Sequence, residues 1–233
     1  MENLPYYISL VFGFTTLLTV FLFYKAAGNS KKLLLIITGW MLLQTVISIT
    51  GFYADTSSLP PRFLLLVMPP MVFIVILFST GRGRMLIGSL DIKYLTILNI
   101  IRIPVELVLF WLFVHKTIPQ LMTFEGRNFD ILSGVSAPFV YYFGFIKSKL
   151  SSKTILVWNI ICLVLLLNII VSAILSLPYP FQQFALDQPN IAILYFPFIW
   201  LPGVIVPIVL FSQFASLSIL INRERKLKTM ATY

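Results

Sequence analysis

Long apolar stretches, interrupted by short charged links, run through nearly the whole chain. They fall at about 5–25, 33–53, 61–79, 92–115, 129–147, 154–177 and 190–221. A helix rises about 1.5 Å per residue, so roughly 20 apolar residues cross the hydrocarbon core of a bilayer. That core holds no water, and a helix satisfies its own backbone hydrogen bonds there. The pattern predicts an all-α integral membrane bundle of seven transmembrane helices, forming one domain over residues 1–233. The last stretch is longer than a bilayer needs, so it is expected to tilt, kink or emerge at one end.

The links carry the charge, and their signs alternate. One set of links holds Lys25, Lys31, Lys32, Arg82, Arg84, Lys93, Lys147, Lys149, Lys153, Arg223, Arg225, Lys226 and Lys228; the other holds Arg62, Lys116 and Arg127. An excess of Lys and Arg marks the cytoplasmic side. The N-terminus is therefore expected outside and the C-terminus in the cytoplasm of a multi-pass protein of the cell membrane. Glu2 is the only charge before the first stretch, and the basic residues follow it. That order suits an uncleaved span rather than a signal peptide. Hydrophobic residues make up 59% of the chain and charged residues 11%, against about 25% charged in soluble domains. The net charge of +9 lies in the links. It is accounted for by topology and by contact with membrane lipids, the expected partners, and nucleic acid is not expected. One cysteine, Cys162, leaves no internal disulfide and no cysteine-rich metal site.

The fourth stretch holds the informative residues. An arginine at the bilayer centre costs about 2.5–3.5 kcal/mol on insertion scales, so Arg102 and Glu106 should face the bundle interior and find partners there. They stand four apart, as neighbours on one helix face. Thr96 and Asn99 extend that face within an arc of roughly 120°, and Phe110 and Phe113 continue it outward. This stripe predicts a cavity that reaches the bilayer middle from the cytoplasm and is closed outside by aromatics. Candidate facing groups are Gln44 and Trp40 in the second stretch, Asn168 and Ser172 in the sixth, and Tyr141, Tyr142 or Tyr195. A second, external group comprises His115, Glu125, Arg127 and Asp130. Its spacing matches no metal motif, and it reads as a pinned loop or a ligand-contacting lid. Prolines within the spans (Pro69, Pro70, Pro104, Pro138, Pro197, Pro202 and Pro207) each leave a carbonyl without its helical partner.

These features rank the functions. The seventh stretch has no lysine, unlike the chromophore helix of retinal proteins. One histidine is too few for the seven-helix zinc hydrolases. Pro119-Gln120 is similar to the dipeptide of PQ-loop transporters, but it lies in a link. A receptor needs a cytoplasmic readout surface, and these links are small and basic. An enzyme needs a nucleophile or metal set, and none stands out. A transporter needs a buried polar site and bendable helices. The leading expectation is therefore a transporter or permease for a small molecule or ion, with no cofactor. In it, Arg102 engages an anionic group and Glu106 couples a proton or cation. The alternatives are a seven-helix ligand sensor, or a membrane-embedded enzyme or assembly factor for a lipid-linked substrate.

Overall fold

The structure, a computed structural model, describes residues 4–230. Met1, Glu2 and Tyr233, on which the terminal assignments bear, lie outside the described residues. Helix α1 (Tyr6–Ala26) turns tightly into α2 (Lys31–Ile49). Gly28 and Asn29 make that turn with φ of 63° and 61°, in the left-handed region that these two residue types tolerate best. The Ser30 hydroxyl caps α2 by accepting from the Leu33 amide at 3.4 Å.

Helix α3 (Leu64–Ser79) ends at Thr80, whose hydroxyl accepts from the Gly83 amide at 3.2 Å and opens α4 (Gly81–Gly88). The two helices meet at 92°. Helix α4 folds back so closely that a Cβ on Gly83 would stand 2.1 Å from the Leu77 carbonyl oxygen. Part of the basic link 80–91 is thus a short transverse helix, with Arg82 and Arg84 exposed.

The fourth stretch is one rod, Ile92–Val114, of 23 residues. It comprises α5 (Ile92–Ile97), a 3-10 turn at Leu98–Ile101 and α6 (Arg102–Val114). Pro104 offers no N–H to the Ile100 carbonyl, and the backbone tightens to 3-10 geometry in the turn just before it. The fifth stretch is the short helix α7 (Ile131–Tyr141) with a π turn at Tyr142–Ile146. Gly134 lets α7 press on the rod: a Cβ there would meet Ile103 Cγ1 at 2.8 Å. Helix α8 (Ser152–Leu175) follows.

The seventh stretch begins later than its hydropathy suggests. Residues 190–200 contain a 3-10 turn (Ala192–Leu194) and a cis Phe196–Pro197 bond instead of a continuous helix. The helix opens with a π turn at Leu201–Ile205 and continues as α9 (Val206–Met230). The apolar run is continuous because this segment is buried in the protein, with Ala192, Leu194, Phe198 and Ile199 all inaccessible.

Among the described residues the regular structure is all helical, without strands. Five helices are long and apolar enough to cross a membrane, or six if the bent α3–α4 pair is one span. The rod packs against α1, α7 and α9, while α8 and α3 lean on α9. The links gather at two ends. The Asp91 amide donates to the Ala26 carbonyl at 2.9 Å, joining the first and third links. At the opposite end, the Ile191 and Ala192 amides both donate to the Thr117 carbonyl at 3.0 Å.

Candidate functional site

The link after the rod dips into the bundle instead of staying outside it. Ile118, Met122, Thr123 and Asn128 are almost completely buried. The Thr123 amide donates to the Gln120 carbonyl at 2.8 Å, and the Asn128 amide donates to the Thr123 carbonyl at 3.2 Å. Gly126 permits the tight packing, since a Cβ there would stand 2.3 Å from the Gln120 carbonyl oxygen. This folding delivers Asn128 and Asp130 to the middle of the rod.

There they meet Arg102 and Glu106, each 2% exposed. Arg102 Nη1 donates to Asp130 Oδ1, and to the Cys162 carbonyl of α8 at 3.1 Å. Asn128 Nδ2 donates to Glu106 Oε1, and to the Met122 carbonyl at 3.0 Å. Asn128 Oδ1 in turn accepts from the Asp130 amide at 3.1 Å. Arg102 and Glu106 share a face as expected, yet each is held by a residue of the following link. Burying a charge without partners is costly, and this link supplies the partners. Even so, Arg102 Nε, Arg102 Nη2 and Glu106 Oε2 have no hydrogen-bond partner among the described residues.

Arg102, Glu106 and Asp130 line a cavity of about 140 Å³. Its remaining walls are apolar: Val67 and Met71 from α3, Leu166 and Ile170 from α8, and Ile205 and Val209 around α9. The cavity extends towards Leu177 and Ile193, at the end where the 116–130 link lies. This corrects the expectation of a cavity along the Thr96–Asn99 stripe. Asn99 Nδ2 bonds the Leu95 and Thr96 carbonyls, and its Oδ1 accepts from Gln213 Nε2 at 2.6 Å, so that half of the stripe is filled by packing. Phe110 packs on Phe124, with centroids 5.1 Å apart, and neither Phe110 nor Phe113 lines the cavity.

The other candidates stand elsewhere. Gln44 accepts from the Tyr53 hydroxyl at 2.5 Å. Trp40 donates to the Gly203 carbonyl at 2.9 Å and borders a second, apolar cavity of about 540 Å³ between α2, α3, α4 and α9. Asn168 is exposed and donates to the Arg127 carbonyl at 2.9 Å, which pins the link from outside. Of the external group only Asp130 enters the site. Glu125 and Arg127 are exposed, and His115 Nδ1 contacts the Trp111 carbonyl at 2.9 Å. Among the described residues no three His, Cys, Asp or Glu side chains converge as a metal site would require. Sequence reasoning missed Asn128 as a site residue and placed Asp130 outside. The available signal was the apolar Ile118 and Met122 within a supposedly exposed link.

No protein-family model matches this chain, and neither a curated protein nor a solved structure matches it.

Proposed function

We propose that this chain is a seven-helix membrane transporter in which Arg102 binds an anion and the Glu106–Asp130 pair carries a coupled proton. The expected orientation is N-terminus outside and C-terminus cytoplasmic, on the distribution of basic residues. One observation carries the functional reading: the cavity beside Arg102, bordered by ionisable side chains that keep unpartnered atoms. A salt bridge that only locks a bundle needs no void beside it.

Charge balance supports the coupling. With Arg102 charged, the cluster is neutral when one carboxyl is ionised and the other protonated. A bound monoanion restores neutrality only if the second carboxyl also takes a proton. Net charge in a low-dielectric interior costs several kcal/mol per ion, so anion and proton enter together, one to one. Helix α9 offers a place to bend. Pro207 has no N–H for the Gly203 carbonyl, and the π turn at Leu201–Ile205 precedes it.

The test uses liposomes containing the purified chain and a trapped pH dye. Methanesulfonate and benzenesulfonate are added outside, since their fixed charge prevents leakage as a neutral acid. The expected result is lumenal acidification that is insensitive to a clamped membrane potential. The double variant Asp130→Asn/Glu106→Gln, isosteric but without a carboxyl, should lose the acidification and make any anion flux electrogenic. If neither sulfonate moves protons through the folded protein, the bundle-locking role is the better account.

A further inference from the structure

The cavity has two chemically distinct parts. Arg102, which borders it, holds Nε and Nη2 buried without partners, while Nη1 is spent on Asp130 and the Cys162 carbonyl. Nε and Nη2 form the side edge of the guanidinium, whose two parallel N–H bonds match the two oxygens of a carboxylate or similar oxyanion. Glu106, four residues on along the same helix face, also holds an unpartnered oxygen, Oε2. When protonated, this carboxyl donates a hydrogen bond to the same anion.

The rest of the cavity offers nothing to a polar group. Its wall is built from Val67, Met71, Leu166, Ile170, Ile205 and Val209. A strongly hydrated inorganic anion would lose its water against this wall and recover few hydrogen bonds. An apolar group gains by leaving water there. The volume of about 140 Å³ is close to that of an engineered cavity of about 150 Å³ that takes up benzene. The occupant's body is thus about the size of one ring. Val67, Met71 and Ile170 are half-buried and Ile174 is 41% exposed. Together they form a rim between α3 and α8 that faces outward from the bundle.

We infer that the site takes an oxyanion with a compact apolar body, such as an aromatic or short branched carboxylate. The head lies on the Nε–Nη2 edge of Arg102 and the body lies against α3, α8 and α9. The inference rests on the proposal that Arg102 binds an anion, and it narrows the ligand from any small molecule or ion to this class. The charged and titratable groups lining the cavity are few: Arg102 and Glu106 from α6 and Asp130 from the link. Cys162 of α8, whose carbonyl accepts from Arg102, is buried and is not among the lining residues. The residues of α3 and α9 that line the cavity are uncharged.

Binding to the purified, detergent-solubilised chain tests this without requiring transport. The probes are benzoate, acetate and benzylammonium, measured by calorimetry. Acetate keeps the head without the body, and benzylammonium keeps the body with the opposite charge. Benzoate is expected to bind at least tenfold more tightly than acetate, and benzylammonium is expected not to compete. Arg102→Met should abolish benzoate binding. Because that variant leaves Asp130 buried without its partner, a second variant keeps the test decisive. Ile170→Phe retains every charge and fills the cavity, and it should weaken benzoate at least tenfold while leaving acetate unchanged. Equal binding of acetate and benzoate, or benzoate binding that survives both variants, overturns the inference. Benzoate binding without sulfonate-driven proton movement in liposomes overturns transport and leaves the ligand class standing. Proton-coupled movement of methanesulfonate without benzoate binding does the reverse.

Discussion

At the scale of single residues, the cluster behaves as a set of linked obligations. Arg102 is satisfied on one nitrogen by Asp130, so Asp130→Asn leaves a buried guanidinium without its counter-ion. Breaking a buried pair from one side costs about 3–5 kcal/mol, whereas replacing both partners by apolar groups is often neutral. Asp130→Asn should therefore lower stability by roughly that amount, and Arg102→Met/Asp130→Leu should recover most of it, as read from denaturant or thermal unfolding in detergent. A double variant no more stable than the single one would show that the pair is not the relevant unit. A second residue-scale prediction concerns the link 50–63, outside the spans. The Ser57 hydroxyl and then the Ser57 amide hydrogen-bond Asp55, and Arg62 pairs with it at 2.6 Å. These contacts, the Ser57 hydroxyl first and Arg62 least, hold the Asp55 carboxyl below its ordinary range against an opposing effect of desolvation. A depressed carboxylate stabilises the folded link above the ordinary carboxylate pKa and loses that contribution as pH falls through the folded value. Ser57→Ala should raise the Asp55 pKa more than Arg62→Met does, as followed by carboxyl NMR titration. The opposite order would make the ion pair the dominant contact.

At the scale of elements, proline sets the geometry of α9 and a tryptophan repairs it. Pro207 orphans the Gly203 carbonyl, and Trp40 Nε1 of α2 donates to it at 2.9 Å. Leaving a buried acceptor unpaired costs about 1–3 kcal/mol. Trp40→Phe should destabilise by about that much, and by clearly less in a Pro207→Ala background, where the helix supplies its own N–H. Additive effects in the double-mutant cycle would contradict this account. Arg102 and Glu106 were readable as interior-facing because intramembrane charges have few other places to go. The roles of Trp40, Gln44 and Asn168 were not, because hydropathy locates a span without fixing its rotation about its own axis. Asp130 was misread for a related reason. A polar run beside Arg127 looks solvated, and only the folding of the 118–130 link, with Met122 and Asn128 buried, turns it inward. The late start of the last helix was hidden because residues 190–200 are apolar through burial in protein.

At the scale of the whole molecule, apolar helices pack on two elements, α9 and the rod, and the rod carries the buried charge. The links at one end fold inward over a cavity, while those at the other carry most of the lysines and arginines. That asymmetry underlies the transport proposal, because a site in the bundle interior must be opened to each side in turn. The central claim is that the cavity beside Arg102 is a ligand site for an apolar-bodied oxyanion. It is tested most directly by a crystal structure of the chain grown with para-bromobenzoate, with data collected at the bromine absorption edge. The account predicts an anomalous peak inside the cavity, among Met71, Ile170 and Val209, with the carboxylate on the Nε–Nη2 edge of Arg102. A cavity without bromine, or bromine only at surface sites near Arg82 and Arg84, would contradict it.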